Sequence, residues 1–255
     1  MNAENGVRLP RIMRGTKQSR RVRVGCPIVR PVVGGVSAAH PTVSTGTLGY
    51  FFRSTDPGDS KDDVMVLSTC HVFAASNRGS VGDHLLQCAP GDGGGAAGTR
   101  FATLHRFVPL TTDRSTSNRI DVAVGRLNSG VPFDNRILEI GRVSGWRAAV
   151  VGESVIQYGH VSGLSRGRVS ALNDSAHVSL DHRNPMNWIP FSGVIRIEPV
   201  GGHERFARPG DSGALVVAET DGLALGVYFA GARDGSYGLA CPMGPVMEEL
   251  RLAFI

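Results

Sequence analysis

The 255-residue chain is long enough to bury a full hydrophobic core, and its 34 glycines and 6% aromatic content favour short strands joined by turns over a helical bundle. The net charge of +5 is uneven: residues 1–24 carry seven basic side chains against Glu4 alone, and the rest of the chain carries 20 basic and 21 acidic ones. That near-neutral body argues against a nucleic-acid-binding core and leaves contacts with an acidic partner or a nucleic acid to the tail.

In chain order, residues 1–30 read as a basic, disordered tail. It lacks the apolar run of about seven to fifteen residues that a secretory signal needs, and no stretch of about eighteen apolar residues follows anywhere. The expected compartment is the cytoplasm, with no membrane partner. There Cys26, Cys70, Cys88 and Cys241, whose wide spacing matches no metal motif, are expected as thiols, mostly buried. Apolar runs predict strands at 43–52 and 64–68, flanking an acidic loop at 56–63. Residues 90–98 are glycine-rich but lack the Gly-Lys-Ser/Thr ending of a phosphate loop, so a flexible turn is expected. A strand at 120–127 precedes a polar link near residue 135. Further strands are predicted at 149–158, 167–172, 194–199, 213–218 and 223–231, each bounded by Gly, Pro or Asp. Val246, Met247, Leu250, Ala253 and Phe254 fall at helical spacing and predict one amphipathic helix over 243–254.

Three polar residues stand out against this background. Pro209-Gly210-Asp211-Ser212-Gly213 places a serine in a tight glycine turn, before an apolar strand, where backbone N–H groups can converge on one point. A serine hydroxyl is a weak nucleophile without a base beside it. His71 is the candidate, because it ends the apolar run 64–67 and precedes Val72-Phe73-Ala74; His40, His160, His177 and His203 lack such a setting, and no His-Glu-x-x-His spacing suggests zinc. The imidazole needs a carboxylate to fix its tautomer. Asp113 and Asp134 compete for that role, but only Asp121 leads directly into an apolar strand. Cys70, beside His71, is read as a packing residue, since neighbours on extended backbone face opposite ways.

The order His71, Asp121, Ser212 with these motifs resembles the chymotrypsin-like (trypsin-like) serine proteases over roughly residues 34 to 255. Within that family the chain is most similar to an intracellular bacterial trypsin-like branch. The shared segments are Gly35-Val36-Ser37, His40-Pro41, Gly46-Thr47-Leu48-Gly49, Phe107-Val108-Pro109 and the Gly163-Leu164-Ser165-Arg166-Gly167-Arg168-Val169 run. Thr69-Cys70 departs from the Asn-Asn that branch carries before the histidine.

The resemblance implies an all-β chain of two six-stranded antiparallel β-barrels with a C-terminal helix. Residues 31–135 would form the first barrel, with His71 and Asp121, and 136–255 the second, with Ser212 and the helix. It also implies a serine endopeptidase that cleaves protein or peptide substrates through an acyl-enzyme, with no metal or organic cofactor. The alternative is a catalytically silent peptide-binding module on the same fold. A cytosolic protease has to be restrained, so narrow specificity or a regulatory protein partner acting through the basic tail is expected. By the same resemblance, the N–H groups of Gly210 and Ser212 form an oxyanion hole, and Asp211 shapes that loop by pairing with a positive group. Arg30-Pro31-Val32-Val33-Gly34-Gly35 resembles an activation site whose new amine at Val32 could be that group, although proline after Arg30 resists cleavage. The primary pocket is expected with Phe206 at its base and Gly231 and Gly238 in its walls. With no aspartate at the base, an apolar or small side chain is the expected substrate group, and Arg208 leaves an acidic one open. Residues 229–231, led by Phe229, are expected to offer a strand edge to an extended peptide.

Overall fold

Short apolar runs punctuated by glycine, proline and aspartate become the strands of two six-stranded antiparallel sheets. The structure, a computed structural model, describes residues 28–179, 188–202 and 204–255, so Cys26, His203 and residues 1–27 of the basic tail lie outside the described residues. In the first half run β1 (Val32–Gly34), β2 (Phe51–Ser54), β3 (Val64–Ser68), the single-turn α1 (Cys70–Phe73), β4 (His84–Leu86), β5 (Arg100–Phe107) and β6 (Ala123–Leu127). Then come β7 (Phe133–Ile137), β8 (Ser154–Gly159), β9 (Gly163–Ser179), β10 (Trp188–Pro199), β11 (Leu215–Ala218), β12 (Ala224–Gly231), β13 (Gly238–Pro242), α2 (Met243–Glu249) and β14 (Leu252–Phe254).

The first sheet has the order β14-β2-β3-β6-β5-β4, and the second closes as a barrel, β10-β13-β12-β11-β8-β9. β1 and β7 make a separate parallel pair. Several expectations shift. Residue 135, expected in a polar link, lies within β7, and the strand expected from 149 begins at Ser154. Of the strand expected over 43–52, residues 43–50 are irregular, held by bridges such as Ser37 to Thr47, and only Phe51 and Phe52 enter β2. The C-terminal helix stops at Glu249 rather than Phe254, because Arg251 adopts a left-handed conformation (φ 48°) and Leu252–Phe254 pair with β2. The chain thus returns to the first sheet for its last strand, and Phe254 packs edge-on against Phe52 at 4.8 Å. The aromatic layer of Tyr50, Phe51 and Phe52 is wholly buried, and such rings carry most of the burial free energy of a β core. Among the described residues no helix is long and apolar enough to cross a membrane.

Candidate active site

Strand register places the first two site residues. β3 pairs antiparallel with β6 through Ser68 and Ala123, so the residues just beyond that pair, on α1 and before β6, lie side by side. His71 Nδ1 meets Asp121 Oδ2 at 2.5 Å, and the His71 backbone N–H donates to Asp121 Oδ1 at 3.0 Å. Asp121 is fully buried, and its N–H donates to the Cys241 thiol of β13 at 3.2 Å. A buried carboxylate needs partners, and His71 supplies one to each of its oxygens, while the backbone of Asp121 is tied to the second sheet through Cys241. Asp113 is occupied locally by Ser115, and Asp134 by Arg136. His40 and His160 pair elsewhere, with Asp83 and Asp92.

Cys70 lies on the helical turn of α1 and not on extended backbone, which corrects the argument made from the sequence. It is nonetheless a buried packing residue whose thiol donates to Asn77 Oδ1, and burial, with the charge of Asp121 adding, pushes its pKa up. Cys241 is also a buried thiol, shifted the same way for the same reasons; Cys88 is buried. Among the described residues no three His, Cys, Asp or Glu side chains converge as a metal site requires.

Ser212 sits on the loop that leads into β11 and lines the same cleft as His71, a space of about 650 Å³. Its Oγ donates to the Phe229 carbonyl at 3.2 Å, and no hydrogen bond among the described residues joins it to His71. The loop around it is fastened residue by residue. Asp211 N–H donates to Arg208 O and Gly213 N–H to Tyr228 O, whereas the N–H groups of Gly210 and Ser212 have no acceptor among the described residues. Gly210 has φ 106°, and a Cβ there would stand 2.5 Å from Val161 Cγ2. Gly213 has φ 101°, and a Cβ there would collide with the Thr47 carbonyl and the Ser68 hydroxyl. Only glycine fits either place.

Thr47 is the residue that sequence reasoning missed. Its hydroxyl donates to Gly210 O at 2.8 Å and its N–H to Ser212 O at 2.8 Å, so one buried threonine of the first half clamps both ends of the serine turn. The signal was the Gly46-Thr47-Leu48-Gly49 segment, which had been noted without a role for its polar member.

Asp211 departs from expectation. Its buried carboxylate accepts from Val161 N–H (2.8 Å), Ser162 N–H (3.0 Å), Ser162 Oγ (2.5 Å) and Arg208 N–H (2.7 Å), with no cation among these partners. Val32 is a strand residue whose N–H donates to Pro132 O. Four neutral donors therefore hold the carboxylate that a new amino terminus at Val32 could have paired with.

The pocket is also rearranged. Gly231 and Phe229 line the cleft as expected, but Phe206 and Gly238 do not. Phe206 is 1% exposed and lies behind Tyr228, whose ring it meets edge-on, and Gly238 is covered by both rings. The wall and floor come instead from Tyr228, Ala207, Leu239 and Tyr237, with Arg205 and Arg233 also on the lining. On the β11 side, strand pairing of β12 does not reach residues 229–231, which leaves that edge open at the cleft.

No family model matches the chain, and no curated protein matches it in sequence. Solved structures do. Protease A of Thermobifida fusca aligns with a TM-score of 0.59 at 17% identity, covering 88% of this chain and 99% of that one. The chymotrypsin of Cellulomonas bogoriensis aligns with a TM-score of 0.57 at 22% identity, covering 88% and 98%. A Nocardiopsis protease aligns with a TM-score of 0.58 at 20% identity, covering 87% and 98%. At such identities it is the architecture that is shared. The chain has the two-barrel fold of the chymotrypsin-like serine proteases, as the sequence resemblance implied.

Proposed function

We propose that the protein is a serine endopeptidase in which Ser212 attacks the peptide carbonyl, His71 takes its proton and delivers it to the leaving amine, and Asp121 orients His71. The observation that carries this reading is the joint geometry of one cleft. A histidine whose Nδ1 is held by a buried aspartate faces it together with a serine, beside which two backbone N–H groups have no acceptor. Unengaged N–H groups of this kind stabilise the oxyanion that forms when the carbonyl is attacked. The acyl-enzyme is then hydrolysed by water, with His71 acting as base again, and no cofactor enters the scheme.

The Ser212 hydroxyl has to leave the Phe229 carbonyl and turn to His71 for the first step. Such bonds are often loose before substrate arrives. The open edge at residues 229–231 supports binding of an extended peptide as an added strand. Narrow specificity, or control by a partner docked on the basic tail, completes the proposal. If deletion of residues 1–24 leaves cleavage of the natural substrate unchanged, the tail has no part in it.

The test is incubation of the purified chain with a proteome-derived peptide mixture, followed by mass spectrometry of new termini, with Ser212→Ala as control. New termini with the wild type alone support the reading. None with either protein would favour the silent peptide-binding module, to which the Ser212–Phe229 hydrogen bond is the one observation that leans.

A further inference from the structure

The cleft beside Ser212 is one-sided in charge. Arg205, Arg208 and Arg233 line it, and among the described residues no carboxylate does. None of the three makes an ion pair among the described residues, although most other arginines with short side-chain contacts do. Arg205 is held in place: its Nη1 donates to Arg233 O at 2.7 Å and its stem packs on Gly235. Asp234 is off the lining and engaged by Ser236 N–H and Oγ; it feels the charge of Arg205 but makes no ion pair with it.

The second observation is independent of that charge. Tyr228 is 5% exposed and lines the cleft, yet its hydroxyl has no hydrogen-bond partner among the described residues. The oxygen stands 3.0 Å from the position a Cβ on Gly231 would take, so it sits where a substrate side chain passing Gly231 would arrive. Burial, with the charge of Asp211 adding, pushes the phenol's pKa up, so it stays a protonated donor. The hydroxyl oxygen opens onto the cleft and is not sealed in the core, so it is available to donate to a ligand acceptor.

We propose, on the footing of the proteolytic reading, that this pocket selects an acidic side chain on the acyl side of the scissile bond, preferably glutamate, with Tyr228 as donor to its carboxylate and Arg205 and Arg233 as the charges that favour it. This replaces the apolar or small group expected from the sequence. An apolar side chain leaves the hydroxyl unsatisfied, and a lysine or arginine would be desolvated against like charge. A glutamine satisfies the hydroxyl but gains nothing from the guanidinium groups.

The test uses four peptides that differ only at that residue: Glu, Gln, Leu and Lys. For the full chain, kcat/KM is expected to fall in the order Glu, Gln, Leu, Lys, with Glu ahead of Gln by about tenfold or more. Tyr228→Phe should lower the Glu-to-Leu ratio about tenfold, and Arg205→Gln with Arg233→Gln should collapse the Glu-to-Gln ratio. Ratios are insensitive to the fraction of a variant that folds. Leu or Lys cleaved better than Glu, or a ratio unmoved by Tyr228→Phe, overturns the inference while leaving the proteolytic reading in place. The same peptides are titrated onto Ser212→Ala and followed by calorimetry. Binding in the order Glu, Gln, Leu, Lys with no hydrolysis by the wild type would uphold the pocket assignment and sink the proteolysis, and binding without that order would sink the assignment.

Discussion

The two walls of the cleft are built on opposite plans. On the His71 wall the groups that set the ring are tied down: Nδ1 and the backbone N–H of His71 both go to Asp121, and Asp121 N–H goes to Cys241, while Nε2 is left facing the cleft. On the Ser212 wall the backbone is fastened just as firmly, by Thr47, Asp211 and Tyr228, but three donors have no acceptor among the described residues and a fourth is held only by a long bond. They are the N–H groups of Gly210 and Ser212, the Tyr228 hydroxyl, and the Ser212 hydroxyl on its long bond to Phe229. One wall is a finished hydrogen-bond network that sets an imidazole. The other is a rigid frame around unsatisfied donors, which is what a site complementary to a developing negative charge requires.

The largest expected effect comes from breaking the finished wall. Asp121→Asn keeps the shape but cannot hold the same tautomer of His71, and kcat should drop by about 10⁴-fold at neutral pH. Steady-state kinetics on a cleavable peptide checks this, and a loss below tenfold would mean that Asp121 does not orient the base. On the other wall, Gly210→Ala forces a side chain into a left-handed position against Val161. It should cost about 10²–10³-fold in kcat by turning one donor away, with little change in substrate affinity.

Thr47→Val probes whether the frame itself matters. It removes the hydroxyl that holds Gly210 O but keeps the N–H that holds Ser212 O. A loss of about tenfold in kcat with KM nearly constant is expected, restored by Thr47→Ser; a loss of stability alone would make Thr47 structural and nothing more.

The smallest effect lies far from the cleft and marks what a purely structural ion cluster does. Asp59 accepts from Ser54, His105, Arg106 and Arg126. Burial by itself would raise its pKa, but these partners outweigh burial and hold it at about 2, below the ordinary 3.8. Because the folded value is depressed, the stabilisation is present above pH 3.8 and is lost as pH falls through about 2. Asp59→Asn should cost about 1 kcal/mol in urea unfolding at pH 7, with the difference closing across that acid window and the peptidase rate unchanged.

Much of this contrast was legible in the sequence, and the reasons differ by residue. β3 announces itself as an apolar run and β6 as a shorter one opened by Val122-Ala123-Val124, and their antiparallel pairing is what carries His71 to Asp121. The serine turn is equally plain, because only glycine tolerates the backbone at 210 and 213. β5 was hidden because Arg, Thr and His interleave its apolar residues, and β14 because Ala253 and Phe254 continue a helical spacing that only long-range pairing with β2 overrides. The pocket failed for another reason. Counting back from Ser212 finds Phe206 along the chain but not the direction its side chain takes, which is into the second core. Tyr228 lies in the apolar run Gly226-Val227-Tyr228-Phe229 and reads as an ordinary core residue. The available signal was its hydroxyl, since a tyrosine deep in a strand needs a partner or a cavity.

The central claim is that the His71–Asp121 pair activates Ser212 beside a formed anion trap. It is tested most directly by treating the intact folded chain with a fluorophosphonate and measuring its mass. The account predicts a single adduct, mapped to Ser212 and abolished by Ser212→Ala and by His71→Ala. A folded protein that takes up no adduct, or that takes it up elsewhere, would contradict it.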